Sequence, residues 1–253
     1  MNKIRQRFLT IVVLAGVILT VPGCITEESG GLPGPAPDED RVSAQLDLAR
    51  GYLEQRDWNR AKAPLERALT IDPRNVQAHV LSAVLYSAEN ETEIAEGHYR
   101  TALRLEPENS QALNNYASFL YAQERYEEAA STLEKLVADT AYRARSQAFE
   151  SLGLAYLKLD RKADARDAFT RALQLNMRLP QSNLRLSELY LQDGELERAQ
   201  TFFDFHNRLA RPSADSLCIG LKLAKAAGNA DQEARYQLSL NNMFPEQVEQ
   251  CLP

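Results

Sequence analysis

The sequence predicts an all-α protein, a right-handed superhelix of about six helix–turn–helix units, preceded by a short export leader. Three observations lead there. A set of small, aromatic and aliphatic residues recurs every 34 positions from Val42 onward. Prolines close several of those units, at Pro73, Pro107 and Pro245. No segment shows the polar–apolar alternation of a half-buried strand, so essentially no strand is expected.

The first frame reads Leu48, Ala49, Tyr52, Ala61, Leu65, Ala68 and Pro73, with Asp57 and Trp58 in the turn between its helices. The second gives Ala83, Tyr86, Ala95, Tyr99, Ala102 and Pro107, and the third Tyr116, Ala117, Leu120, Tyr126, Ala129 and Leu133 without a closing proline. About two residues are inserted near Thr140 to Arg145, and the register resumes with Leu152, Gly153, Tyr156, Ala165, Phe169 and Ala172. A fifth frame holds Leu186, Ser187, Tyr190, Ala199 and Phe203, and the sixth is degenerate. This pattern resembles the tetratricopeptide repeat, with units near 42–75, 76–109, 110–145, 146–179, 180–213 and 214–247.

The spacing has a physical logic. Small residues such as Ala49, Ala61 and Ala68 sit where helices must approach closely, while Leu48, Tyr52 and Leu65 fill the space between them. A proline after each second helix cannot continue it and turns the chain into the next unit. One hairpin cannot bury its own apolar face, so the units must stack. Pro64 falls inside the second helix of the first repeat, where a bend is expected rather than a break.

Residues 1–23 read as a secretory signal: Lys3, Arg5 and Arg7 without an acid, then a short apolar run from Phe8 to Thr20. That run is shorter than the roughly 20 residues a membrane-spanning helix needs. Val21-Pro22-Gly23-Cys24 resembles a bacterial lipobox, which implies that Cys24 is lipidated and becomes the new N-terminus; Pro22 departs from the usual small residue. Ile25, rather than an Asp, follows the cysteine, which in a Gram-negative host implies the outer membrane, with the protein facing the periplasm. Residues 24–41, rich in Gly, Pro and acids, read as a flexible tether, and 42–253 as the repeat domain.

Composition narrows the function. Removing residues 1–23 takes away three cations and no acid, leaving 26 Lys and Arg against 35 Asp and Glu, a net charge of −9. No polybasic stretch remains, so nucleic acid is not an expected ligand. There is no phosphate-binding Gly-rich loop, His-Glu-x-x-His, Gly-x-Ser-x-Gly or Cys-x-x-Cys, so no catalysis, cofactor, metal or small-molecule substrate is expected. His79, His98 and His206 are dispersed among the repeats and read as surface or packing residues. Cys218 and Cys251 lie 33 residues apart in a chain read as exported, which favours a bridge between them over two buried free thiols.

Signal, lipobox, acidic tether and six repeats together are similar to the type IV pilus biogenesis lipoproteins of the PilF/PilW family. The run Leu113-Asn114-Asn115-Tyr116-Ala117-Ser118-Phe119-Leu120, followed by Arg125-Tyr126 and Glu128-Ala129-Ala130, looks like that family's third repeat, and Met243-Phe244-Pro245 like its ending. The resemblance implies a pilotin, an adaptor that helps secretin subunits reach the outer membrane and multimerise for pilus assembly and twitching motility. Two rivals remain: a scaffold of another envelope machine, for β-barrel assembly or cell-wall synthesis, and an enzyme or activator of one acting on peptidoglycan, against which the absent catalytic set argues.

In such superhelices the fifth, ninth and twelfth positions of each first helix point into the concave groove. In repeats one and two these include Leu46, Leu53, Val80 and Val84, which are the expected partner-binding residues, the alternative being that all four merely pack between helices. Repeats three to five offer Asn114, Ser118, Glu150 and Glu188 instead, so an apolar grip is expected near the N-terminal end.

Overall fold

The structure is a computed structural model describing residues 37–251. The signal, Cys24 and most of the tether fall outside that range. Twelve helices follow one another as six hairpins: α1 (Asp38–Glu54) with α2 (Trp58–Ile71), α3 (Val76–Ala88) with α4 (Thr92–Leu105), α5 (Ser110–Ala122) with α6 (Tyr126–Ala138), α7 (Arg145–Lys158) with α8 (Lys162–Leu175), α9 (Pro180–Gln192) with α10 (Leu196–Leu209), and α11 (Ala214–Ala226) with α12 (Ala230–Met243). A 3₁₀ turn at Pro245–Gln247 and a one-turn helix, α13 (Val248–Cys251), finish the described chain. There is no strand among the described residues.

Helix α1 begins at Asp38, inside the stretch read from sequence as tether. Asp38, Glu39 and Asp40 form its first turn, where carboxylates face the positive end of the helix dipole. An acidic run that cannot build a core can therefore still start a helix. Asn75 and Asn109 cap α3 and α5 by accepting from Ala78 N and Ala112 N, each at 2.9 Å, as helix starts require. Helix α2 runs unbroken from Trp58 to Ile71 across the buried Pro64.

The turn inside each hairpin is the same object six times. Residues Arg56, Asn90, Glu124, Asp160, Gly194 and Gly228 take left-handed backbone angles, with φ between 56° and 77°. Each is followed by an amide that bonds back to the first helix at 2.9 Å: Asp57 to Tyr52 O, Glu91 to Tyr86 O, Arg125 to Leu120 O, Arg161 to Tyr156 O, Glu195 to Tyr190 O and Asn229 to Ala224 O. This Schellman-type closure satisfies carbonyls that the helix end leaves open. The step from Glu124 to Asp160 contains the two extra residues, which lie in the turn between α6 and α7. Asp139 there accepts from Ser110 Oγ at 2.8 Å and Ala141 N at 2.9 Å, while Arg145 Nε donates to Val137 O at 2.7 Å.

Packing follows the small residues. Ala61, Ala68, Ala95, Ala102, Ala129, Ala165, Ala172 and Ala199 are wholly buried, so helices meet there with only a methyl group between them. Gly153 and Gly220 go further: a Cβ at Gly153 would lie 2.6 Å from the Phe169 ring, and one at Gly220 2.7 Å from Phe203. From Leu113 to Leu223 the buried side chains form one continuous core across four hairpins. At the C-terminal end Leu217, Leu221, Leu240 and Cys251 make a separate cluster.

Candidate functional site

The face of interest is carried by the first helices, α1, α3, α5, α7, α9 and α11. Two of the four residues expected to bind a partner are not available. Leu46 packs with Ala49, Leu65 and Leu81 in the core of the first repeat, and Val80, 1% exposed, packs with Ala102 and Ala112. The fifth position of a first helix points toward the following hairpin and is consumed by stacking. Leu53 and Val84, at the twelfth and ninth positions, remain half-buried.

The same two positions stay partly open further along the array. Tyr121, Leu154, Leu157 and Leu191 occupy them in repeats three to five, each half-buried. A depression of about 150 Å³ lies here, between α5 and α7, lined by Ala117, Ser118, Tyr121, Leu133, Ser151 and Leu154. Apolar lining is therefore not confined to the first two repeats, as the sequence reading had it. The twelfth position carries Tyr121, Leu157 and Leu191, and the ninth carries Leu154 but also the polar Ser118 and Glu188.

The polar groove residues are largely engaged. Glu150 accepts from Ser182 N at 2.8 Å and Ser182 Oγ at 2.7 Å, so it caps α9, whose own N-cap residue, Leu179, has no side-chain acceptor. Glu188 pairs with Arg185 at 2.8 Å, and Arg185 reaches Asp215 in the next repeat at 2.7 Å. Glu150 braces the stack directly, whereas Glu188 steadies Arg185 on its own helix and Arg185 makes the crossing contact.

Behind the groove, tyrosines tie successive repeats together. Tyr116 donates to Glu96 at 3.0 Å, and Tyr156 donates to Glu134 at 2.7 Å. The Arg125 guanidinium holds the Glu96 carboxyl below its ordinary range, aided by Tyr116 and Arg100. Burial, then Glu134, pushes the Tyr156 hydroxyl up to about 12.

Two further placements bear on the sequence reading. Cys218 and Cys251 are joined as a disulfide, with their Cα atoms 5.2 Å apart. The histidines are not all dispersed: His79 and His98 meet across the α3–α4 hairpin with their Nδ1 atoms 2.9 Å apart. A separation of 19 residues hides the pair in the sequence, because only the hairpin's closure brings the two together. Burial, and secondarily His79, pulls the His98 pKa down. His206 alone is a packing residue, buried on α10 with Nδ1 at 2.9 Å from Pro180 O.

The tetratricopeptide repeat profile matches residues 46–91, 83–148 and 150–204. Over 240 residues, 94% of each chain, the protein is 36% identical to the type IV pilus assembly protein PilF of Pseudomonas aeruginosa. The chain belongs to the PilF/PilW family. The solved structure of Pseudomonas aeruginosa PilF superimposes with a TM-score of 0.78, covering 84% of this chain and 96% of that one. PilW, described as a widely conserved type IV pilus biogenesis factor, superimposes with a TM-score of 0.71 at 28% identity, covering 84% of this chain and 98% of its own. Likeness to the family thus extends through all six hairpins. A peptide-binding relative of the fold, YrrB, matches at 20% identity with a TM-score of 0.61 and supports the fold alone.

Proposed function

We propose that this protein is a pilotin of type IV pilus biogenesis, a lipid-anchored outer-membrane adaptor that binds secretin subunits in the periplasm and promotes their multimerisation. The observation that carries this is the 36% identity to PilF over 94% of both chains. The anchor would be Cys24, which ends the lipobox-like run Val21-Pro22-Gly23-Cys24. The grip would be the half-buried apolar row Leu53, Val84, Tyr121 and Leu154 on the first helices. Fully burying side chains of this size contributes about 1.5–3 kcal/mol each. Association and ordering costs reduce that to a net affinity suited to a peptide, a helix or an added strand.

Deletion of the gene in its own host, with crosslinked recovery from intact envelopes, tests the reading. Secretin multimers should disappear and the crosslinked partner should be a secretin. Normal multimers, or capture of a β-barrel-assembly or peptidoglycan factor instead, would assign the array to another envelope machine. Cys24→Ser should release the protein from the membrane fraction; retention at the wild-type level would remove the lipid from the proposal.

A further inference from the structure

The outer face of the array, carried by the second helices, departs from its own repeat pattern at two places that meet. At the position of Phe205 the four preceding repeats carry Arg67, Thr101, Lys135 and Arg171. Met177, 66% exposed, stands where Pro73 and Pro107 close the first two repeats. Both side chains line one cavity of about 340 Å³ between α8 and α10, whose apolar wall is completed by Leu173, Leu186 and Phe202. That volume lies in the range of ligand pockets, roughly 300–1,000 Å³. The scaffold requires neither departure, since the first two repeats turn and stack without them.

Arginines border this cavity. Arg208 lies over the Phe205 ring, its guanidinium carbon 4.3 Å from the centroid. Arg171 Nη1 donates to the lining residue Gln174 at 3.1 Å, and Arg178 follows Met177 in the chain. All three are exposed, and none is ion-paired among the described residues. Asp167 and Asp204 sit one turn before Arg171 and Arg208 without pairing to them; Asp204 accepts instead from Gln200 Nε2 at 2.8 Å. In a chain of net charge −6, this rim is a local excess of cations.

We propose that the cavity docks an acidic peptide segment of a protein partner, which inserts one bulky apolar side chain and sets its carboxylates against the arginine rim. Charge complementarity selects the acid, because the guanidinium fork matches a carboxylate with two parallel hydrogen bonds. The polar lining selects a peptide. Asn183, 2% exposed, donates from Nδ2 to Leu179 O at 2.9 Å, and its Oδ1 accepts nothing among the described residues, which leaves an acceptor for a peptide N–H. Thr170 and Gln174 add a hydroxyl and an amide to the same lining. A lipid headgroup would engage the arginines and leave these groups unused. Met177, unbranched and adaptable, can close over the inserted side chain. This site lies on the second helices and is separate from the groove proposed for secretin, which the first helices carry.

The test pans phage-displayed random peptides against the full-length protein in phosphatidylcholine nanodiscs and measures each selected peptide by fluorescence anisotropy. Selected sequences should carry a large apolar residue flanked by Asp or Glu. Phe205→Thr, which installs the residue of the second repeat, should weaken their binding at least tenfold, and so should Arg171→Glu combined with Arg208→Glu. Should Phe205→Thr fail to fold, the exposed arginine pair decides alone. Peptides that bind both variants as well as the wild type sit elsewhere and overturn the proposal, as do cavity-dependent peptides without acids. Binding to phosphatidylglycerol vesicles that needs Arg171 and Arg208, with no cavity-dependent peptide selected, would make the surface a lipid contact and equally overturn it.

Discussion

Tyr116, on the first helix of the third repeat, donates its hydroxyl to Glu96, on the second helix of the repeat before it, across 3.0 Å. The same carboxylate accepts from Arg125 at 2.9 Å and Arg100 at 2.8 Å, so one glutamate fastens two hairpins and the turn that follows. Its side chain is only 16% exposed, and its partners hold its pKa below 4.5 in the folded chain.

Stability drawn from Glu96 should therefore be present above pH 4.5 and disappear as the pH falls through the lower folded value. Glu96→Gln should cost about 1.5–3 kcal/mol at pH 7, the range for a hydrogen bond to a charged group. Urea unfolding of both proteins at pH 7 and pH 3 measures this. A difference that does not shrink at pH 3 would show that the carboxylate charge is not its source.

Gly153→Ala should destabilise the fourth hairpin. Its Cβ would meet Phe169, which is wholly buried and cannot swing away. Overpacking of this kind costs about 1–3 kcal/mol. Phe169→Leu should recover part of that loss when combined with Gly153→Ala, and denaturant midpoints of the two single variants and the double decide it. Strictly additive losses would locate the clash elsewhere.

Glu124→Gly and Asp160→Gly should each raise stability. Both residues hold a positive φ, 59° and 56°, in turns whose counterparts are Gly194 and Gly228. Relief of the left-handed penalty, less the greater freedom of glycine when unfolded, leaves about 0.5–1 kcal/mol. A lower denaturant midpoint in both variants would contradict this.

Reduction should loosen the C-terminal repeat first. The Cys218–Cys251 bridge closes a loop with a sequence separation of 33 residues, worth about 3–4 kcal/mol in the chain-entropy model. Amide exchange with and without reductant should show protection lost in α11 to α13 and retained in α1 to α4. Thiol titration of the denatured, unreduced protein should find neither cysteine free.

Ser118→Trp should block the groove without disturbing the core, because Ser118 is exposed at the rim of the α5–α7 depression. Exposed substitutions usually shift stability by less than about 0.5 kcal/mol, so melting should hardly move while partner recovery and secretin multimers fall. Leu46→Asp should behave differently: it buries a charge in the first repeat and should unfold it. A folded Ser118→Trp protein with full secretin assembly would move the site off this face.

The sequence by itself determined the hairpins, their number, the small residues at helix crossings and the two-residue step before α7. Those features are local, because each repeat touches only its neighbours and must reproduce the same contacts every 34 residues. Family membership was legible for the same reason: Leu113 to Leu120 and the residues after it carry their pattern in one continuous stretch. What the tertiary structure alone decided is which side chains the stacking leaves over. Leu46 and Val80 look like groove residues until the next hairpin closes on them, whereas Tyr121 and Leu154 stay half open at the ninth and twelfth positions. Glu150 becomes a cap only because Ser182 arrives from 32 residues away, and His79 finds His98 only when α4 folds back along α3. Exposure and pairing depend on the angle at which consecutive hairpins meet, and no residue encodes that angle within its own repeat.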